Sequence, residues 1–257
     1  MSWLEIGAVV LAALWAGGIN TLVGSGTLVT FPTLLVLGVP PLTANISNSI
    51  GLVAGGISGT IGYLPEMKGL GRKVLQLVPM SIIGAIIGAL LLLVLPAAAF
   101  AAIVPALIAL GILLVVLGPR LSAWSKRRHR EGAEIPAWRV VALMAGVLLA
   151  GVYGGYFGAA QGVILIGLLS ALSTERLQAL NGLKNVLATI ANAVSSLVFI
   201  IVEPDLVDWR IAGLVAIGAI IGGGLGARFG RRLHPNALRA VIVVVGVVGL
   251  VKFVLFP

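Results

Sequence analysis

Charged residues are scarce in this chain, and cysteine is absent. Only 10% of the 257 residues are charged, whereas a soluble domain usually carries roughly a quarter. The polar material for a water-facing surface is therefore missing. Without cysteine, disulfide bonds and thiolate metal sites are excluded. The two histidines, His129 and His234, lie among arginines, so we expect neither a metal centre nor a cofactor.

Long apolar runs take the place of a charged surface, and the mean hydropathy is +1.16. Two runs, 74–95 and 97–117, reach the roughly 20 residues that a helix needs to cross the core of a bilayer. No cationic segment precedes the first apolar run, which we therefore interpret as a retained span and not as a signal peptide. The sequence predicts an all-α integral membrane protein with a lipid bilayer as its partner.

The apolar segments form two sets of five, separated by a polar linker at 119–137. They cover 4–23, 26–38, 43–63, 73–95 and 97–118, and then 138–158, 161–173, 177–201, 209–228 and 236–256. In each set the second segment is short and follows a glycine-rich break. We divide the chain into a first membrane repeat at 1–118, the basic linker, and a second membrane repeat at 138–257. Hydropathy predicts about 8 spans among these segments.

Identical sequence in the two sets indicates an internal duplication. The hexapeptide Ile-Gly-Ala-Ile-Ile-Gly occurs at 83–88 and again at 217–222, an offset of 134 residues. We interpret both copies as helix-packing faces, because small residues let helices approach closely in membranes. The same offset places Gly17 on Gly151 and Gly24 on Gly158, and the polar stretch 44–48 lies opposite 179–185 with a slip of one to three residues.

The distribution of positive charge predicts the topology. Most of the 17 Lys and Arg residues lie in the stretches 68–73, 120–139 and 228–239. The positive-inside rule puts these stretches in the cytoplasm, and the acidic loop at 203–208 and both termini outside. We give the basic linker this topological role and expect no nucleic-acid partner. Each set must then cross an odd number of times, which predicts two inverted repeats, each a broken-helix hairpin plus three transmembrane helices.

Both hairpins contain a break that could line a cavity. The breaks are Gly24-Ser25-Gly26 and 158–162, and whether each hairpin is re-entrant or crosses fully stays open. Irregular backbone survives at membrane depth only where protein or a wet cavity satisfies its polar groups. A helix that starts at such a break points free N–H groups at the cavity and favours an anion. We favour this interpretation over simple glycine packing, because the polar side chains Ser25, Thr27 and Gln161 accompany the glycines, which include Gly158 and Gly162.

A second polar group lies early in the helix after each hairpin. Its members are Asn45 and Asn48 in the first half and Asn181, Lys184 and Asn185 in the second. Lys184 lies about 12 Å along a helix from Arg176, where it could neutralise an anionic substrate or carry a coupling proton. It could equally extend to the lipid headgroups beside Arg176. Asn45 and Asn48 could instead join helices by hydrogen bonds or begin a helix.

The order of these features resembles the TauE/SafE family of sulfite exporters over nearly the whole chain. The resemblance rests on the glycines at 17–18 and 24–26, Pro32, Pro40 and the stretch 44–48, with a weaker second copy at 151–185. It implies a multi-pass permease of the bacterial inner membrane that transports sulfite, a sulfonate or a related small anion. It also implies the substrate-binding residues Gly24, Ser25, Gly26, Asn45, Asn48, Gly158, Gln161, Asn181, Lys184 and Asn185. The second copy departs from the pattern, because Ala160 stands opposite Gly26 and Ile166 opposite Pro32.

The sequence thus predicts a secondary transporter, most simply an exporter, that works by alternating access around a midplane site. An anion channel of the same fold remains an alternative, as does an intramembrane enzyme or lipid-binding scaffold. We expect no enzyme, because Ser25 has no His or Lys base related to it in the sequence and no metal-protease or nucleophile-elbow motif is present.

Overall fold

A computed structural model describes residues 1–128, 136–229 and 235–255. Within those ranges the chain forms ten α-helices and no β-strand. The helices are α1 (Trp3–Leu22), α2 (Thr27–Val36), α3 (Pro41–Tyr63), α4 (Gly71–Val94), α5 (Ala97–Arg128), α6 (Ala137–Tyr156), α7 (Gln161–Leu172), α8 (Leu177–Val202), α9 (Trp209–Phe229) and α10 (Pro235–Leu255). Short 3-10 helices follow α3 at Leu64–Met67 and α8 at Pro204–Leu206. The predicted all-α class is confirmed.

Seven helices in the described ranges are long and apolar enough to cross a bilayer: α1, α4, α5, α6, α8, α9 and α10. Helix α3 has 23 residues, but its asparagines, serines and glycines make it more polar than these seven. Helices α2 and α7 are apolar and have only 10 and 12 residues. Large apolar side chains such as Leu149 and Val141 are two-thirds exposed, which suits a surface that faces lipid. The chain is therefore a multi-pass membrane protein.

The polar linker begins as a continuation of α5. Only Ala97–Gly118 of that helix is apolar enough to span, yet the helix continues to Arg128. We expected no metal centre at His129 and His234. Both histidines lie outside the described residues.

Helices of one half pack mainly against helices of the other half. Helix α1 packs along α9, α4 along α6, α2 on α10 and α5 on α7. Both copies of the repeated hexapeptide lie in these contacts. Gly84 and Gly88 of α4 touch the α6 backbone, and Gly218 and Gly222 of α9 touch the α1 backbone. The prediction that both copies are packing faces is confirmed, because a Cβ on any of these glycines would overlap the partner helix.

Helices α3 and α8 lie side by side in opposite directions. The hydroxyl oxygens of Thr60 and Thr189 are 3.4 Å apart, while Gly182, near the start of α8, lies against Tyr63 at the end of α3. Since α3 follows α2 and α8 follows α7 after short loops, the two short helices lead away from opposite ends of this pair. This arrangement brings the two glycine-rich breaks together.

Candidate functional site

Each break is a four-residue interruption between a long helix and a short one. Helix α1 ends at Leu22 and α2 begins at Thr27, while α6 ends at Tyr156 and α7 begins at Gln161. Within these turns Gly24 has φ +85° and Gly158 has φ +74°. Glycine adopts positive φ without the steric cost that other residues meet. The pair that the sequence offset matched therefore turns the chain in the same way.

The two breaks touch each other through backbone atoms. The N–H of Gly162 donates a hydrogen bond to the carbonyl of Gly24 over 3.0 Å. A Cβ on either glycine would overlap the backbone of the other, so no side chain fits between the two segments. We call this contact between Gly24 and Gly162 the crossing. It joins the first half of the chain to the second at the start of both short helices.

Several polar groups at the first break have no partner in the protein. Ser25 is 1% exposed, and its hydroxyl makes no hydrogen bond. The N–H groups of Ser25, Gly26 and Thr27 make no hydrogen bond to another backbone carbonyl, whereas those of Leu28 and Val29 bond to Ser25 and Gly26. Buried polar groups are normally paired, so a cluster of free donors needs a further acceptor.

Polar groups at the second break are used within the protein. The side-chain amide of Gln161 donates to the carbonyl of Ala150 over 3.1 Å. The hydroxyl of Tyr153 donates to the carbonyl of Ala159 over 2.6 Å. Ala160 adopts φ +61°, an unusual conformation for a residue with a side chain. The departure at Ala160 that the sequence revealed is thus a real difference between the two turns.

Lys184 lies inside the protein and caps the end of α1. Its side chain is 1% exposed, and its ammonium donates to the carbonyls of Thr21 over 3.0 Å and Asn20 over 3.3 Å. A cation at this position offsets the partial negative charge of a helix C-terminus. The alternative that Lys184 extends to the lipid headgroups is therefore wrong, because its side chain is buried and its ammonium binds the last carbonyls of α1.

Asn45 makes the corresponding contact at the other break. Its amide nitrogen donates to the carbonyl of Tyr156, the last residue of α6, over 3.1 Å. Each half thus extends a polar side chain from its third helix to the end of the first helix of the other half. Asn48 is fully buried, and both its amide atoms lack a partner, as does the amide oxygen of Asn45.

The remaining predicted residues lie around these contacts. Gly26 packs against the carbonyl of Ala16, and Thr27 is 7% exposed. Asn185 is buried and its amide nitrogen is unpartnered, while Asn181 is half-buried. All twelve predicted residues therefore lie at the breaks or on α3 and α8 beside them.

Several groups at the candidate site were not predicted from the sequence. The carbonyls of Asn20 and Thr21 that hold Lys184 carry no sequence signature, because any residue offers a carbonyl. Tyr153 lies on α6 within an apolar run and shows its role only through its contact with Ala159. Thr30 on α2 is buried with an unpartnered hydroxyl. In the described ranges no group of three His, Asp or Glu side chains could hold a metal ion.

Comparison with known proteins agrees with this architecture. A family model described as sulfite exporter TauE/SafE matches residues 9–253. The chain belongs to the TauE/SafE family. Curated relatives of this TauE/SafE protein include the probable membrane transporter protein YfcA of Escherichia coli K12, 28% identical over 96% of this chain and 89% of that protein. No solved structure matches the chain.

Other relatives are similarly distant and similarly complete. A probable membrane transporter protein of Haemophilus influenzae is 26% identical over 98% of this chain and 97% of its own length. The probable membrane transporter protein ORF9 of a Sinorhizobium species is 26% identical over 96% of this chain. Together with the family match, these relatives identify this TauE/SafE protein as a membrane transporter and not an enzyme.

Proposed function

We propose that this TauE/SafE protein is a secondary transporter that exports a small anion by alternating access around the crossing. The substrate would be sulfite, an organosulfonate or a related sulfur-containing or organic anion, as the family description suggests. The observation that carries this proposal is the contact of Gly24 with Gly162 beside the buried, unpartnered hydroxyl of Ser25. Free donors at the start of α2 suit an anion, because a helix N-terminus carries partial positive charge.

The lengths of the short helices favour a site near mid-membrane. Ten residues of α2 and 12 of α7 measure about 15 Å and 18 Å along their axes. Together they are about as long as the roughly 30 Å thickness of a bilayer core. If each short helix enters from a different face, their inner ends meet half-way across. The antiparallel pair α3 and α8 supports such opposite entry.

Crosswise packing supports two inverted repeats, at 1–118 and 138–257, joined by the cytoplasmic linker. The offset between the halves relates α1 to α6 and α4 to α9, so it converts the packed pair α1–α9 into the packed pair α4–α6. Helices α3 and α8 are related by the same offset, and they pack against each other. With the basic loops in the cytoplasm of a bacterial cell, both termini lie outside the inner membrane. Transport would then alternate by one half moving against the other around the fixed crossing.

The proposed substrate site comprises the residues around the crossing and the polar residues that flank it. These are Gly24, Ser25, Gly26, Thr27, Asn45, Asn48, Gly158, Gln161, Gly162, Asn181, Lys184 and Asn185. Lys184 supplies the positive charge nearest to the first break, and a coupling proton or ion is a further proposed partner. An ionisable residue at such a place in a membrane protein is a functional candidate.

Counterflow of radiolabelled sulfite into proteoliposomes tests this proposal. Vesicles preloaded with unlabelled sulfite should accumulate label transiently, with initial rates that saturate as sulfite rises. Liposomes without protein control for leak. A carrier is excluded if the rate grows linearly without saturation, which would favour an anion channel. Absence of sulfite, thiosulfate and methanesulfonate flux altogether would instead favour an intramembrane lipid-binding scaffold.

A further inference from the structure

We infer that the two breaks at the crossing have different roles: the first holds the anion through Ser25 and the start of α2, and the second is a fixed support. This inference rests on the proposed function and deepens it by assigning the ligand contacts to one half of the chain. Two separate observations carry it, the pairing of hydrogen-bond donors and the balance of charge.

Donors at the first break are free. The N–H groups of Ser25, Gly26 and Thr27 make no backbone hydrogen bond, and the Ser25 hydroxyl beside them is buried without a partner. These groups belong to consecutive residues at the start of a ten-residue helix. A compact anion with several acceptor oxygens on one atom, such as sulfite or a sulfonate group, can accept from more than one of them at once.

The second break has fewer free donors: the N–H groups of Ala159 and Ala160 make no backbone hydrogen bond, and those of the residues on either side do. The N–H of Gln161 bonds to Gly158, and the N–H of Gly162 bonds to Gly24. The Gln161 amide is held by Ala150, and residues 159 and 160 are alanines without polar side chains. The hydrogen bond at the crossing therefore runs in one direction only. It consumes a donor of α7 and none of α2.

The balance of charge also distinguishes the breaks. The C-terminal carbonyls of α1 carry partial negative charge that would repel an anion at the first break. The ammonium of Lys184 binds two of these carbonyls and more than offsets that charge. At the second break the neutral amide of Asn45 takes the corresponding position at the end of α6. Only the first break thus combines free donors with a positive charge.

Unpartnered polar groups elsewhere in the second half do not alter this assignment. Ser170 and Ser196 have buried hydroxyls without partners, and so has the amide nitrogen of Asn185. Ser170 lies nine residues beyond Gln161, about 14 Å along α7, so it is far from the break. It offers a matched control, since Ser170→Ala also removes a buried unpartnered hydroxyl from a short helix.

Thermal unfolding of the purified protein, titrated with sulfite, tests the assignment. Ser25→Ala should weaken the apparent affinity for sulfite about tenfold or more, as expected for a lost hydrogen bond to a charged group. Its midpoint without sulfite should be unchanged, because the hydroxyl has no partner in the protein. Tyr153→Phe should lower that midpoint, since the Ala159 carbonyl loses its donor, and leave the sulfite affinity within about twofold. Ser170→Ala should change neither.

Two outcomes would overturn the assignment. One is wild-type affinity in Ser25→Ala and also in Ser25→Gly, which removes the same hydroxyl by a second route. The other is a large loss of affinity in Tyr153→Phe with an unchanged midpoint. If sulfite, thiosulfate and methanesulfonate all fail to stabilise the wild-type protein, the proposed function itself is refuted, and the assignment with it.

Discussion

Replacement of Gly24 by alanine tests whether the two backbones really touch at the crossing. The new Cβ would lie 2.8 Å from the carbonyl carbon of Gly162 and closer still to its Cα. A backbone cannot rotate away as a side chain can, so one of the short helices must shift. The residue also has φ +85°, which adds conformational strain for alanine. Gly24→Ala should therefore be destabilising for two separable reasons.

Gly38→Ala isolates the second of these reasons, the backbone strain. Gly38 has φ +81°, close to the value at Gly24, but a Cβ there would meet no atom within 4 Å. It should cost about 1–2 kcal/mol from left-handed backbone strain alone. Gly24→Ala should cost the same plus about 1–3 kcal/mol from overpacking. The difference between the two variants measures the contact itself.

Thermal unfolding in detergent provides the assay, with transport in proteoliposomes as a second measurement. By the scaling for soluble domains of similar size, each kcal/mol corresponds to about 2–4 °C in the unfolding midpoint. Gly24→Ala should therefore unfold several degrees below Gly38→Ala and transport more slowly. Equal midpoints for the two variants would show that Gly24 and Gly162 are not in contact, and the proposed midplane site would lose its central feature.

Three further predictions concern the lysine, the helix arrangement and the topology. Lys184→Met should reduce the initial rate of sulfite uptake at least about tenfold, because it removes the charge beside the first break. Lys184→Arg should retain part of the uptake rate. Wild-type rates in the methionine variant would remove Lys184 from the proposed site. The double variant Thr60→Cys and Thr189→Cys should form a disulfide on oxidation and keep the halves joined after proteolysis at 119–137. Either single variant should separate, and so would the double variant if α3 and α8 were not neighbours. A membrane-impermeant maleimide should label Asp205→Cys in intact cells and Lys68→Cys only after lysis, and the reverse pattern would contradict the topology.

Much of the fold could be predicted from the sequence because membrane helices are recognisable by their length and apolar composition. The expected short segment 161–173 corresponds to α7 at Gln161–Leu172, and 26–38 corresponds to α2 at Thr27–Val36. The breaks were predicted because each glycine-rich stretch is followed by an unusually short apolar segment. The helical extension of α5 beyond residue 118 was missed, because hydropathy reports where a helix leaves the lipid and not where it ends.

The contacts of the site were harder to predict. Sequence symmetry pairs Gly24 with Gly158, yet the backbone touches Gly162, because helix length and tilt decide which residues meet. The long side chain of Gln161 could extend towards a cavity or back to its own hairpin. It extends back and donates a hydrogen bond to the carbonyl of Ala150. Lys184 donates hydrogen bonds to backbone carbonyls, and a pattern of side chains in the sequence cannot reveal such acceptors. Local spacing thus located the residues, and tertiary packing determined their partners.

The unequal capping of α1 and α6 has a consequence for how such a protein can be built. A slip of two residues from the offset of 134 places Asn48 opposite Lys184 and Asn45 opposite Asn181. An assembly of two identical separate subunits would carry either two lysines beside one crossing, which would repel each other, or none. Fusion of both halves into one polypeptide lifts that restriction, since each copy can then change independently. In the proposed pair of inverted repeats, a single lysine is a division of labour that two identical subunits could not achieve.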